Sequence, residues 1–192
     1  MGLISASKKV AITVRGYAEN KVEKDLKPIK VVFDGKSPKN AARIIHDYLR
    51  DYLKEIGQTV YFWDSDDYRE KGSEYGKVII VGHHSLADKM IEQVGYLKYD
   101  AYKEYGMKYG SSGNICVLKA SRKKLGYSRS DKDSFDSYYK GKIAEHRELA
   151  QKLNIPMTAG NRSSRTESQY DLLCLEFIAS GLDEFLGIDQ YK

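Results

Sequence analysis

The stretch VIIVGHHSLADKM, residues 78–90, decides the fold because a strand pattern passes directly into a helix pattern. Its first four residues form an uninterrupted apolar run, which is typical of a central strand covered on both faces. Gly82 allows a tight turn, and apolar residues then recur at helical spacing as far as Val94. The stretch therefore predicts a buried strand, a turn and a helix that Ser85 caps.

The turn in this stretch is the first candidate site. A strand end followed by a helix start presents free backbone N–H groups, where α/β proteins bind anions, and an imidazole can act as acid, base or ligand. A joint of this kind needs a glycine and polar residues in any case. No nucleophile, carboxylate or GxGxxG pattern accompanies the histidines, so neither a catalytic residue nor a cofactor is assigned. A small anionic ligand at Gly82, His83, His84 and Ser85 is one alternative.

Further strand and helix patterns lie on both sides of this stretch. The clearest helix covers residues 37–57, with Ser37 as its cap and Gly57 at its end. A hairpin around residues 110–114 leads into a return strand, ICVLKA. The predicted order is β-β-α-β-β-α-β-β, with the first strand at residues 8–16, followed by two C-terminal helices. We expect an α/β (or α+β) fold with a single layered sheet and helices on one face.

The chain is interpreted as one domain over residues 1–192, with the α/β sheet core at 8–120 and a C-terminal helical addition at 135–188. Its 192 residues and 41% hydrophobic content are enough to form a core without cross-links. Cys116 and Cys174 each lie in an apolar run, so we expect buried, reduced thiols.

Sixteen tyrosines, against one tryptophan and five phenylalanines, are the compositional anomaly. Tyrosine combines an apolar ring with a polar hydroxyl and is enriched at protein interfaces. The last helix also has an apolar face wider than a normal amphipathic stripe, so it is either central to the fold or half of an interface. Packing on the sheet is the alternative for the tyrosines. The predicted interface residues are Tyr96, Tyr99, Tyr102, Tyr105, Tyr109, Tyr170, Phe177 and Phe185.

A basic cluster lies at residues 119–132, and within it Arg122, Lys123, Lys124 and Arg129 are the candidate nucleic-acid contacts. Clustered positive charge is sufficient for contacts to a phosphate backbone. Acidic residues resume immediately after the cluster, and the net charge is only +5, so a solvated connection is favoured over a nucleic-acid site. No histidine pair has metal-ligand spacing such as HExxH, and no metal site is assigned.

The sequence contains neither a secretory signal nor an apolar run of the ~20 residues needed to span a bilayer. We therefore expect a cytoplasmic protein with no membrane partner, or a virion component if the protein is viral.

The segments VVFDGKSPKNAARIIHDYLRDYLKEIG, VIIVGHH and GNICVLKA together resemble the small non-catalytic α/β domain that precedes the barrel in several glycoside hydrolases. The resemblance covers residues 28–120 and implies an α/β fold. It carries over no catalytic carboxylate pair and implies no activity.

Three functions follow as expectations. The first is a non-enzymatic structural or interaction protein, self-associating or bound to protein partners in a larger assembly such as a viral or mobile-element one. The second is an enzyme or small anionic-ligand binder at the Gly82–His83–His84 turn. The third is a nucleic-acid-associated protein that uses residues 119–132.

Overall fold

The computed structural model describes residues 27–67, 76–82, 84–95, 97–121, 129–156 and 165–187. The described residues form a mixed α/β structure around a six-stranded sheet. Its strands are β1 Ile29–Asp34, β2 Val60–Asp64, β3 Lys77–Gly82, β4 Leu97–Ala101, β5 Met107–Ser112 and β6 Ile115–Ala120.

The helices are interleaved with the strands and then continue to the end of the described chain. They are α1 Lys39–Tyr52, α2 Ser85–Val94, α3 Tyr102–Tyr105, α4 Arg129–Glu145, α5 Arg147–Lys152, α6 Arg165–Glu176 and α7 Leu182–Leu186. A 3₁₀ turn, Lys54–Ile56, follows α1, and a π-helical turn, Phe177–Gly181, joins α6 to α7. Gly57 ends the first of these turns with φ of 68°, a backbone conformation that favours glycine.

The strand order in the sheet is β2-β1-β3-β6-β5-β4. Strands β2, β1, β3 and β6 run parallel to one another, whereas β5 pairs antiparallel with both β6 and β4. From β1 the chain passes through α1 to β2 on one side, and it then returns to β3 on the other side of β1. The direction of winding therefore reverses between β1 and β3, which makes this pair of strands the topological switch point.

Alternating residues of the central strands build two cores. Val31 and Ile79 point to the larger core, which contains α1 and α6, whereas Val32 and Ile80 point to the smaller one under α2. Val78 to Val81 of β3 are buried because this strand has a neighbour on each side and helices over each face. The uninterrupted apolar run of β3 is thereby explained, and its predicted central position is confirmed.

The α/β class is confirmed, but three details of the prediction are corrected. The helices cover both faces of the sheet, because α1 and α2 pack on opposite sides. Three strands follow α2 where the predicted order has two, because residues 97–101 form the edge strand β4, which pairs with β5. The C-terminal helical addition begins at Arg129 and not at residue 135, and its first helix breaks at His146. The strand predicted at residues 8–16 lies outside the described residues.

The last helices are central to the fold. Tyr170, Phe177 and Phe185 are 1%, 1% and 5% exposed, and they share the larger core with the sheet residues. Cys116 and Cys174 are buried and free, as expected. Of the two alternatives for the wide apolar face of the last helix, the structure therefore favours core packing.

Gly82 is required by close packing between β1 and β3. A Cβ atom at this position would lie 2.4 Å from the Asp34 Cβ and 2.8 Å from the Asp34 carbonyl oxygen. We expect Gly82→Ala to lower the free energy of unfolding by about 1–3 kcal/mol, because the backbone of a central strand cannot move aside cheaply. Urea denaturation measures the change.

Gly141 supplies the matched control, since it lies exposed in α4 and an added Cβ would meet nothing within 4 Å. Gly141→Ala should raise the free energy of unfolding by about 0.5–1 kcal/mol through helix propensity. Equal effects of the two substitutions would contradict the steric explanation.

Candidate functional site

The carboxyl ends of the parallel strands bring polar residues to one edge of the sheet. The register pairs Asp34 at the end of β1 with Gly82 of β3, and Gly82 with Lys119 of β6. On the other side, Asp64 ends β2 beside Phe33. A carboxylate, a glycine turn and a lysine therefore lie side by side on adjacent strands at the switch point, where open α/β sheets form their binding crevices.

Asp34 caps helix α2 from a neighbouring strand. Its Oδ2 atom accepts hydrogen bonds from the backbone N–H groups of Leu86 and Ala87, both at 3.0 Å, and the residue is 2% exposed. These donors belong to the first turn of α2, whose N–H groups have no carbonyl acceptor within their own helix. The carboxylate also meets the positive end of the helix dipole. The Asp34 carboxylate therefore occupies N–H groups at the start of α2, where the sequence predicts a small anionic ligand.

The predicted site residues lie around this bond. His84 is the N-cap residue of α2, with φ of −100° and ψ of −168°, and Ser85 is the first residue of the helix instead of its cap. Both residues are exposed. Gly82 is buried against Asp34, and His83 lies outside the described residues. No signal near the histidines could have revealed Asp34, because the two segments are 52 residues apart in sequence.

Helix α1 starts at the same edge in a different electrostatic setting. Gly35 follows Asp34 with φ of 108°, and Pro38 is the N-cap residue. The first turn of α1 contains no acidic residue, and Lys36 and Lys39 are exposed beside it. Positive side chains therefore add to the positive end of this helix dipole, whereas the start of α2 is neutralised by Asp34.

Lys119 extends the polar edge towards the antiparallel strands. Its Nζ forms an ion pair with Asp88 of α2 and lies 5.9 Å from the ring of Tyr102. Lys108 approaches the same ring, with Nζ 4.6 Å from the centroid. Tyr102 is thus in contact with cations of this chain, through the attraction between a positive charge and an aromatic face.

Tyr99, Tyr105 and Tyr138 form a hydrogen-bonded and stacked cluster. The Tyr99 and Tyr138 hydroxyls are 2.6 Å apart, and the Tyr105 and Tyr138 rings stack at 4.3 Å. Tyr99 also stacks on Tyr109 at 5.7 Å. These rings join β4, β5 and α3 to α4, so they hold elements of the same chain together.

The interface prediction is corrected for four of its residues. Tyr109, Tyr170, Phe177 and Phe185 are buried in the core and present no surface to a partner. Tyr99, Tyr102 and Tyr105 are half-buried, and Tyr96 lies outside the described residues.

A charged cluster that contains no predicted site residue lies next to Tyr99 and Tyr138. Glu176, whose side chain is 7% exposed, is 3.2 Å from Lys142 Nζ and 3.9 Å from His146 Nε2. Burial lowers the pKa of Lys142, but the hydrogen bond to Glu145 and the charges of Glu145 and Glu176 outweigh it and raise the pKa above its ordinary value. The available signal was a glutamate inside the apolar run LLCLEFIAS. Buried acids are rarely left unpaired, so such a position predicts a basic partner.

The structure describes one of the four predicted nucleic-acid contacts. Arg129 is exposed at the start of α4, whereas Arg122, Lys123 and Lys124 lie outside the described residues. Within the described ranges, no three His, Cys, Asp or Glu side chains are arranged to hold a metal ion. No helix among these residues is both long and apolar enough to cross a membrane.

Comparison with models of protein families, with curated proteins and with solved structures gives no match for this chain.

The buried tyrosines predict a loss of stability in alkali. Burial is the main cause that raises the pKa of Tyr99, Tyr109 and Tyr170 above the ordinary value of 10, and burial also raises the pKa of Cys116. A raised pKa in the folded state favours the neutral group, so the stabilisation is complete below the ordinary pKa of each group, which is 9.0 for cysteine and 10.0 for tyrosine. It is lost at higher pH as the unfolded chain ionises. We expect the free energy of unfolding to begin to fall above about pH 9 through the buried thiol, and to fall further above about pH 10, by about 1.4 kcal/mol per pH unit for each such tyrosine.

Urea denaturation between pH 8 and about pH 11 tests this expectation. Tyr170→Phe should reduce the slope of stability against pH, because it removes one buried phenol. Tyr61→Phe, at an exposed tyrosine, should leave the slope unchanged. A slope that is the same in all three proteins would contradict the assignment to buried hydroxyls.

Proposed function

We propose that this protein binds a small anionic ligand at the carboxyl edge of its parallel sheet, between β1 and β3. The observation that carries the proposal is the topological switch at these strands: α1 and α2 start there and pack on opposite faces of the sheet. Because the winding reverses here, the connection from β1 to α1 and the connection from β3 to α2 go to opposite faces of the sheet. A crevice is left between them, outside the strand ends.

The start of α1 is the part of the crevice that suits an anion. Lys36 and Lys39 flank a helix start that has no acidic residue in its first turn. The N–H groups of Asn40 and Ala41 belong to that turn, whereas the Lys39 N–H already donates to the Lys36 carbonyl oxygen at 3.3 Å. N–H groups at helix starts bind phosphate or carboxylate in many α/β proteins. The ligand class proposed is therefore a small molecule that carries a phosphate or a similar anionic group.

Asp34 sets the other side of the crevice. Because its carboxylate holds Leu86 and Ala87, it fixes the position of His84 and Ser85 at the start of α2. It also makes that helix start less favourable for a second negative charge. The anionic group is therefore proposed to bind at the start of α1 and not at the Gly82–His83–His84 turn. His84 and Ser85 are then polar neighbours of the rest of the ligand. It assigns binding and no catalytic step.

Amide NMR titration with inorganic phosphate and pyrophosphate tests this proposal. We expect the largest shift changes at residues 36–42, with smaller changes at 84–87. The double variant Lys36→Gln/Lys39→Gln should weaken binding about tenfold, since removing two charges costs about 1.4 kcal/mol or more at a shared anion. Each titration is repeated with chloride at equal ionic strength.

Lys132→Gln/Lys140→Gln is the matched control, because both lysines are exposed on α4 and the charge change is the same. This variant should bind within twofold of the unchanged protein. Equal weakening in the two double variants, or shifts spread over all basic residues, would show non-specific attraction and overturn the proposal.

Association with protein partners or with a second copy is a second proposal. Tyr61 supports it, because this residue is 42% exposed. Among the described residues, Tyr61 is the large hydrophobic residue that lies at the surface. It lies on β2, which has β1 as its neighbour in the described sheet. An edge strand with an exposed aromatic residue is a recurrent place for contact with another chain.

For a self-associating protein, light scattering at micromolar concentration should give a mass above the 21.9 kDa of one chain. Tyr61→Lys should lower that mass, because it places a charge on the proposed contact. Gln93→Lys adds the same charge at an exposed position of α2 and should leave the mass unchanged. A mass of one chain at all concentrations, with no partner retained by the immobilised protein, would rule out this second proposal.

A further inference from the structure

Helix α1 and the end of α5 border a half-open pocket of about 370 Å³. Ile44, Tyr48 and Tyr52 line it from α1, and Leu153 and Asn154 line it from the residues that follow α5. Asn154 is in the left-handed conformation, with φ of 52°, and turns the chain around the end of the cavity. The volume falls within the range of small-molecule sites, and the lining combines apolar and polar side chains as such sites do.

The wall on the α1 side is a pair of stacked aromatic rings. Tyr48 and Tyr52 are one helical turn apart, with ring centroids at 5.8 Å and planes at 15°. Aromatic faces carry negative charge density and attract cations. This chain already uses that property here, because Lys152 Nζ lies 5.1 Å from the Tyr48 ring centroid. The cavity is therefore built so that an ammonium group can lie against Tyr48.

Carboxylates add negative potential around these rings. Asp47 and Asp51 line the cavity and are themselves one turn apart on α1. Asp183 accepts a hydrogen bond from the Tyr52 hydroxyl at 3.3 Å. Burial first, and then the charge of Asp183, raise the pKa of Tyr48, so the negative field reaches its hydroxyl.

Two cations of the chain partly balance these acids. Lys152 lies over Tyr48, and Arg50 contacts the Oδ1 atoms of Asp47 and Asp51 at 3.3 and 3.4 Å. The side chains of Arg50, Asp47 and Asp51 are 58%, 44% and 75% exposed, so water and salt weaken the attraction between them. His46 Nδ1 also lies 2.9 Å from Asp47 Oδ1. Lys152 is the cation that occupies the aromatic wall.

We propose that this cavity binds a small aliphatic amine. Its ammonium group replaces that of Lys152 over Tyr48 and interacts with Asp47, while its apolar chain lies on Leu153 and the Tyr52 ring. A linear diamine suits the site best, because Asp47 and Asp51 are one helical turn apart, or about 5–6 Å between Cβ atoms, and a four-carbon diamine has its ammonium groups at a similar separation. The site is separate from the crevice at the carboxyl edge of the sheet.

Isothermal titration calorimetry of the full chain with 1,4-diaminobutane tests the proposal, with 1,4-butanediol as the uncharged probe of equal length. The diamine should bind and the diol should not. Asp47→Asn/Asp51→Asn should weaken diamine binding about tenfold or more, as expected for the loss of two carboxylate contacts. Glu92→Gln/Glu104→Gln removes the same charge at exposed positions of α2 and α3 and should change binding less than twofold.

Lys152→Gln should change the diamine affinity in the direction opposite to that of Asp47→Asn/Asp51→Asn. Removal of the competing ammonium should tighten diamine binding, about threefold to tenfold for a contact of this kind, whereas a lysine with a purely structural role would have no such effect. Weakened or unchanged binding in Lys152→Gln would overturn the proposal. Absence of diamine binding, equal binding of the diol, or equal losses in the two double variants would also overturn it.

Discussion

The bond between the Asp34 carboxylate and the first turn of α2 is the interaction on which the arrangement of the sheet edge depends. It joins β1 to α2 across 52 residues, and it requires Gly82 because the β3 backbone passes close to Asp34 at this point. A buried carboxylate costs free energy unless hydrogen bonds compensate it, and here two N–H groups and a helix dipole do so. The same bond determines which helix start remains open to a ligand.

The tyrosine content has a structural explanation in the described residues. Several of these residues pack an apolar ring inside the chain while their hydroxyls form hydrogen bonds. Tyr139 donates to the Pro156 carbonyl at 2.6 Å, and the Tyr99 and Tyr138 hydroxyls bond to each other. Phenylalanine could fill the same volume, but it could not satisfy nearby polar groups. Tyr99 and Tyr170 connect the sheet to the later helices in this way, through the Tyr138 hydroxyl and the Ala120 carbonyl.

Local patterns in the sequence predict the α/β class and the central strand β3, because burial on both faces leaves a direct trace in residue order. The same patterns do not reveal which face each helix covers, since α1 and α2 are both amphipathic and either face of the sheet would suit them. The edge strand β4 was missed because its ordering comes from its pairing with β5 and not from a strong pattern of its own. At the candidate site, Asp34 precedes Gly35 in a local pattern that indicates only a turn, and a long-range contact gives it a second role.

The position of β6 also has a consequence for how the chain folds. This strand is the last of the described six in sequence, yet it lies between β3 and β5, with Val78 opposite Ile115. Until β6 arrives, the most apolar strand of the sheet has one open edge, and open apolar edges recruit other chains. A ribosome adds residues at about 5–20 per second, so a nascent chain would keep this edge uncovered for seconds. The hairpin of β5 and β6 would then close the edge as one preformed unit.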